Sequence, residues 1–168
     1  MNATDVATIG FPADAKDPRF RAFFDYWRSK APPGKLPGRQ HIDPMEMKPF
    51  LPYVAIFDVE RQPDGRYRFK HRLIGTHVGL LVPEALPGTY VDEVADPEHY
   101  RLRHYPEMMR LIESHHPHYA ERKSPVMDSN YVRFCRLKLP LARDGENVDM
   151  VLCLYIGVRA NGTMMDEG

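Results

Sequence analysis

The sequence predicts an α+β fold: one five-stranded antiparallel sheet in the order 2-1-5-4-3, helices over one face, and an amphipathic helix from the N-terminal region. Three observations carry that expectation. Residues 51–75 read as a β-hairpin, and residues 129–158 read as a second. Between them, prolines and glycines break the chain into short turns until a long helical run begins near Asp96.

Taken in order, residues 1–16 read as a flexible leader and residues 17–30 as the amphipathic helix. Asp17 supplies an N-cap and Pro18 a first-turn proline, and Phe20, Phe23, Phe24 and Trp27 follow at i, i+3, i+4 and i+7. Residues 31–42 form a Pro/Gly-rich connection, so this aromatic stripe is expected to dock at a distance, in its own chain or in a partner's. The main domain is expected over 43–158. It opens with a short helix capped at Asp43-Pro44-Met45-Glu46, with Met47, Phe50 and Leu51 facing inward. Residues 159–168 read as a flexible tail.

In the first hairpin, Pro63-Asp64-Gly65 suits a three-residue loop ending in a left-handed glycine. That loop sets Glu60 opposite Arg68 and Asp58 opposite Lys70 on one face, and Val59 opposite Phe69 and Phe57 opposite His71 on the other. From Gly75 to Tyr90 only short helical turns around Val78, Leu80 and Leu81 are expected. Asp96-Pro97 then opens a helix to about His115, with Tyr100, Met108, Leu111 and Ile112 on its apolar side and a kink at Pro106.

Strands are expected near 117–124, 129–141 and 147–158, the last two joined by a two-residue turn at Asp144-Gly145. That turn would pair Leu139 with Met150, Leu137 with Leu152 and Cys135 with Leu154, with Arg136 and Lys138 on the reverse. Strands one and five are apolar on both sides, as central strands are, whereas strand two carries Arg66, Arg68, Lys70 and Arg72 along one side, as an edge strand should.

With 23 basic and 23 acidic residues, the chain has no global field to attract nucleic acid or an anionic membrane, and neither partner is expected. Its two cysteines, Cys135 and Cys153, fall on opposite sheet faces, where no disulfide can close. Without a signal peptide or a spanning segment, a cytoplasmic protein is expected.

This arrangement resembles the PAS fold, and the local phrases are similar to a PAS-like family of small, mostly stand-alone proteins common in alphaproteobacteria. The residues that carry the resemblance are RQHIDP at 39–44, residues 51–59, YRFKHRLIGT at 67–76, LPGTYVDEV at 86–94 and LPLARDGENVDMV at 139–151. The family is defined by shape, so the resemblance implies sensing or assembly and brings no catalytic residues.

No nucleophile elbow, P-loop, dinucleotide fingerprint or zinc-ligand pair occurs, and no enzyme is expected. His115, His116 and His118 read as helix-terminal residues, not metal ligands. PAS relatives include haem sensors with an iron-binding histidine on the long helix, where His99 and His104 lie here. Position alone does not assign haem to either, and no flavin-type Asn-Cys-Arg context is present. The candidate ligand site lies between sheet and long helix, where Phe57, Phe69, His71, Met109, Ile112, Arg133 and Cys135 are expected to gather around a small anion or a carboxylate-bearing ring.

The expected function is a regulatory module that binds a small molecule there and signals through its N-terminal helix or a homodimer interface formed by Phe20, Phe23, Phe24 and Trp27, with a signalling protein as a further partner. The alternative is a ligand-free assembly module. A small enzyme is a third reading.

Overall fold

The first hairpin sets the register of the sheet. In the computed structural model, which describes residues 5–123 and 131–165, β1 (Val54–Arg61) and β2 (Tyr67–Ile74) pair Phe57 with His71, Asp58 with Lys70, Val59 with Phe69 and Glu60 with Arg68, as the loop chemistry predicts. Gly65 sits at φ 87° and donates to Gln62 O at 2.9 Å, while Gln62 N donates to Arg66 O at 2.7 Å. Only glycine takes that left-handed angle without strain. A bulge between Ile56 and Phe57 then shifts the pairing beyond it.

Strands β3 (His118–Lys123), β4 (Tyr131–Leu141) and β5 (Met150–Arg159) complete an antiparallel sheet in the expected order β2-β1-β5-β4-β3. Residues 124–130, where parts of two expected strands fall, lie outside the described residues.

The second hairpin departs from its expected register by two residues, pairing Cys135 with Ile156, Leu137 with Leu154 and Leu139 with Leu152. Its connection is longer than a two-residue turn. The Asp144 carboxylate accepts from the backbone N–H of Glu146 and Asn147 at 2.8 and 2.7 Å, holding a loop that the ladder does not enter until Met150. A shift of two keeps every side chain on its own face, so the alternation survives.

The two faces have different covers. Tyr119, Leu137, Leu154 and Val54 lie opposite one another across the strands on the face that meets α1 (Pro18–Ser29), where the Phe20 and Tyr119 rings stand 5.3 Å apart. Asp17 caps α1, accepting from Arg19 N at 2.9 Å. Phe20, Phe23, Phe24 and Trp27 are completely buried, and the Trp27 indole N–H donates to Pro140 O at 2.9 Å. The helix therefore docks in its own chain, and the interface expected at these four residues has no surface there to offer. Val6, Ile9 and Ala15, in the segment expected as a loose leader, are buried too, as is Met165 in the expected tail. The predicted helix after Asp43 is a run of turns ending in a 3-10 turn, Leu51–Tyr53. Tyr26 ties that run to α1, its hydroxyl donating to Glu46 at 2.9 Å and accepting from Asp43 N at 2.9 Å.

On the other face lie α2 (Thr76–Leu81), α3 (Val91–Val94), and a continuous run of α4 (Pro97–His99), a π-helical turn (Tyr100–His104) and α5 (Tyr105–Ser114). Pro106 has no N–H to donate. The chain answers with the wider turn, in which Tyr105 N donates to Tyr100 O, so the expected kink takes the form of a π turn. His115, left-handed at φ 60°, closes α5 by donating to Leu111 O at 2.9 Å. The outer edge of β2 is covered by the chain itself, His71 N donating to Thr89 O and Gly88 N to His71 O.

Trp27→Ala should lower the stability measured by urea unfolding by about 3–5 kcal/mol, since it opens a cavity and leaves Pro140 O unpaired. Leu102→Ala, at a half-exposed position, should change it by less than about 0.5 kcal/mol. Equal effects of the two substitutions would contradict the docking of α1.

A candidate ligand site of buried charge between sheet and long helix

The helix-covered face is unusual in what it buries. Lys138 is fully buried, and Arg136, Glu107, His71 and His104 are each at most 6% exposed. Arg136 and Lys138 alternate along β4 with Cys135, Leu137 and Leu139, so they point away from α1 and toward α5. Glu107 comes down from the first turn of α5, beside Met108 and Leu111 on the inward stripe. Its two carboxylate oxygens accept separately, one from Arg122 on β3 and the other from Arg136.

Burial alone would raise the Glu107 carboxyl. Arg136, Lys138 and Arg122 outweigh that and hold it below the usual carboxylate range. Among the described residues Lys138 has only weak acceptors, His104 Nε2 and Met108 Sδ, each 3.5 Å from Nζ. Desolvation, with Arg136 adding to it, pulls its ammonium down to about 7. Three cations thus meet one carboxylate.

An aromatic wall adjoins the charges. The His104 ring stacks on Tyr100 at 5.7 Å and lies 6.0 Å from Phe57 and 6.1 Å from Phe69. Burial, with Lys138 and Arg136 adding to it, keeps His104 neutral well below its ordinary pKa. His71 packs 5.2 Å from Phe57, and its Nδ1 is 3.1 Å from both Thr89 O and Thr89 Oγ1. A carbonyl only accepts, so the Nδ1 carries the proton. Burial lowers the His71 pKa against that bond. Outside Tyr100 and Tyr105 lies a cleft of about 750 Å³, also lined by Tyr67, Arg66, Arg68 and Arg101.

Of the residues expected to form the site, Phe57, Phe69 and His71 do gather here, and Ile112, on α5, is partly buried against the hydrophobic core. Met109 is only half buried, and its neighbour Met108 is the residue that meets Lys138. Arg133 and Cys135 are elsewhere. Arg133 is exposed and pairs with Glu121 at 2.5 Å, while Cys135 lies on the α1 face beside Tyr119. The physical reason is that β1 and β5 are apolar on both sides, so the alternation within β4 does not say which of its faces meets which cover.

Arg136, Lys138, Glu107 and Arg122 are the residues that the sequence reading did not assign to the site. A signal existed. Glu107 lies next to Met108 on the helix's inward stripe, and a buried carboxylate calls for cations on the facing strand. His115 and His116 lie past the end of α5, whereas His118 begins β3 on the charged face opposite Lys138. Among the described residues no three His, Cys, Asp or Glu side chains gather in a metal-binding group. Cys135 and Cys153 are free and on opposite faces.

The fold is a five-stranded antiparallel sheet with helices packed against it, and the comparison with known families agrees. The PAS domain profile matches residues 15–156, so the chain belongs to the PAS domain family. A search of the curated proteins returns no match. Among the described residues no helix is long and apolar enough to cross a membrane.

The buried bases fix a pH dependence. In the unfolded chain Lys138 keeps its proton to the ordinary 10.5, whereas in the folded chain it releases it near 7. The unfolded state therefore binds more protons above pH 7, and stability rises with pH. Cys153 opposes this from about pH 9, because burial pushes its folded thiol up to about 12. Below pH 6.5 His104 and His118, the latter lowered by burial to about 4, make stability fall with acid. Lys138→Met should flatten the rise between pH 7 and 9 in urea unfolding, with a smaller change in the acid limb, to which the Lys138 charge contributes through His104 and His118. A mutant with the wild-type slope would refute the lowered Lys138.

Proposed function

We propose that this PAS domain is a sensory or regulatory module that binds a small molecule between the sheet and α5 and passes the binding event through β4 to α1. The observation that carries the reading is the burial of Lys138, Arg136, Glu107 and His104 in that interface. Replacing such charges with apolar residues of similar volume is commonly neutral or stabilising, so they are poorly accounted for as cement. Polar groups converging beside an aromatic wall are what a ligand site requires.

A route to α1 is built into β4. Lys138 points to the site, and two residues on the Pro140 carbonyl holds the Trp27 indole. A ligand that favours one position of β4 over another would shift the seating of α1 by its difference in affinity for the two. Assembly through the α1 stripe, the rival reading, is disfavoured because that stripe is covered within the chain.

Trp27 is the only tryptophan, so its emission reports on the α1 side alone. Native mass spectrometry of freshly purified protein should show a retained small molecule, and its removal should shift Trp27 emission. Lys138→Met, a nearly volume-conserving change, should lose the added mass and stay folded. Wild-type protein without added mass, together with Trp27 emission indifferent to small molecules, would favour the ligand-free reading.

A further inference from the structure

Beside the Glu107 clasp, between the α4–π segment and the edge strand β3, is an opening of about 330 Å³ lined by His99, Arg103, Glu121, Arg122 and Lys123. Arg122 belongs to both places. Its side chain is 25% exposed at the opening, yet it supplies one arm of the clasp, where Glu107 is 3% and Arg136 4% exposed. Glu121 does little to balance the charge here, because its carboxylate is engaged by Arg133.

The donors outnumber the acceptors. Among the described residues the guanidinium donors Arg122 Nε and Arg136 Nε are buried without a hydrogen-bond partner, and Arg136 is only 3% exposed. Both oxygens of Glu107 are already taken. Two guanidiniums, Arg122 and Arg136, thus converge on one internal carboxylate with Lys138 behind, while the exposed Arg103 and Lys123 line the outer opening beside Arg122. Guanidinium forks match carboxylate and phosphate oxygens in pairs.

We propose that this opening binds a small, multiply charged oxyanion, a di- or tricarboxylate or a phosphate, which takes Arg103, Lys123 and Arg122 and displaces Glu107 from Arg122. Glu107 acts as the built-in competitor that holds the site when no anion is bound. Its release frees α5 to move against β4, which names the ligand class for the sensing reading above and rests on that reading only for its consequence. An uncharged ligand would have no reason to compete with Glu107.

The test is calorimetric titration of the full chain with citrate and, separately, with inorganic phosphate, in chloride buffer of constant ionic strength. Wild type should show saturable binding of at least one of them. Arg103→Gln and Arg122→Gln should weaken it by about tenfold or more, equivalent to about 1.4 kcal/mol, while Arg21→Gln, on α1 at the other face of the sheet, should not. Glu107→Gln should bind several-fold tighter and recover thermal stability when the anion is added. The second variant class keeps the test alive if Glu107→Gln folds poorly, since Arg103 is part of no buried pair. No saturable binding in wild type, or equal binding in wild type and Arg103→Gln/Arg122→Gln, would overturn the site. The two readings fail separately. Retention of an uncharged molecule without an anion response ends this proposal and leaves sensing intact; anion binding that leaves Trp27 emission unchanged upholds this site and ends signalling to α1.

Discussion

One carboxylate sets the terms for the interior between sheet and helices. Glu107 divides its two oxygens between Arg122 and Arg136. Without it a guanidinium that is 3% exposed would stand uncompensated in an apolar interior. Removing one partner of such a buried pair costs about 3–5 kcal/mol, because the other charge stays buried and alone. The position of α5 over β4 is therefore fixed by more than apolar contact. Even so, the clasp neutralises only part of the charge, and Lys138 is left to give up its proton at near-neutral pH.

The neighbouring structure follows from this. The π turn at Tyr100–His104 absorbs Pro106 and sets the Tyr100 and His104 rings in a stack against Phe57 and Phe69. His104 stays neutral there and can accept from the Lys138 ammonium. Across the sheet the solution is opposite in kind: α1 seals its face with four wholly buried aromatic residues and a single polar bond, Trp27 to Pro140 O. A charged face and an aromatic face share the strand β4.

Much of the scaffold was legible in the residues. Pro63-Asp64-Gly65 fixed one register through turn chemistry, the 20/23/24/27 spacing located α1, and apolar strands one and five implied the strand order. The second hairpin slipped by two because the Asp144 carboxylate stabilises a longer loop than the Asp-Gly pair suggests. The placement of Phe57, Phe69 and His71 on the helix-covered face was also visible, as it follows from the first hairpin. The charged half was not, because nothing local says which face of β4 meets α5. Arg133 and Cys135 were expected on the helix-covered face, where Arg136 and Lys138 lie instead. A tertiary fact decided this, although Glu107 on an otherwise apolar helix stripe pointed to cations opposite.

The most direct measurement of the account is an NMR titration of the Lys138 side chain, following its Cε resonance with Lys138→Met to assign it. An ammonium sealed between β4 and α5 beside Arg136 should titrate near pH 7, some three units below an ordinary lysine. A midpoint near 10.5 would mean that Lys138 reaches water, and with it the buried cationic site would be gone.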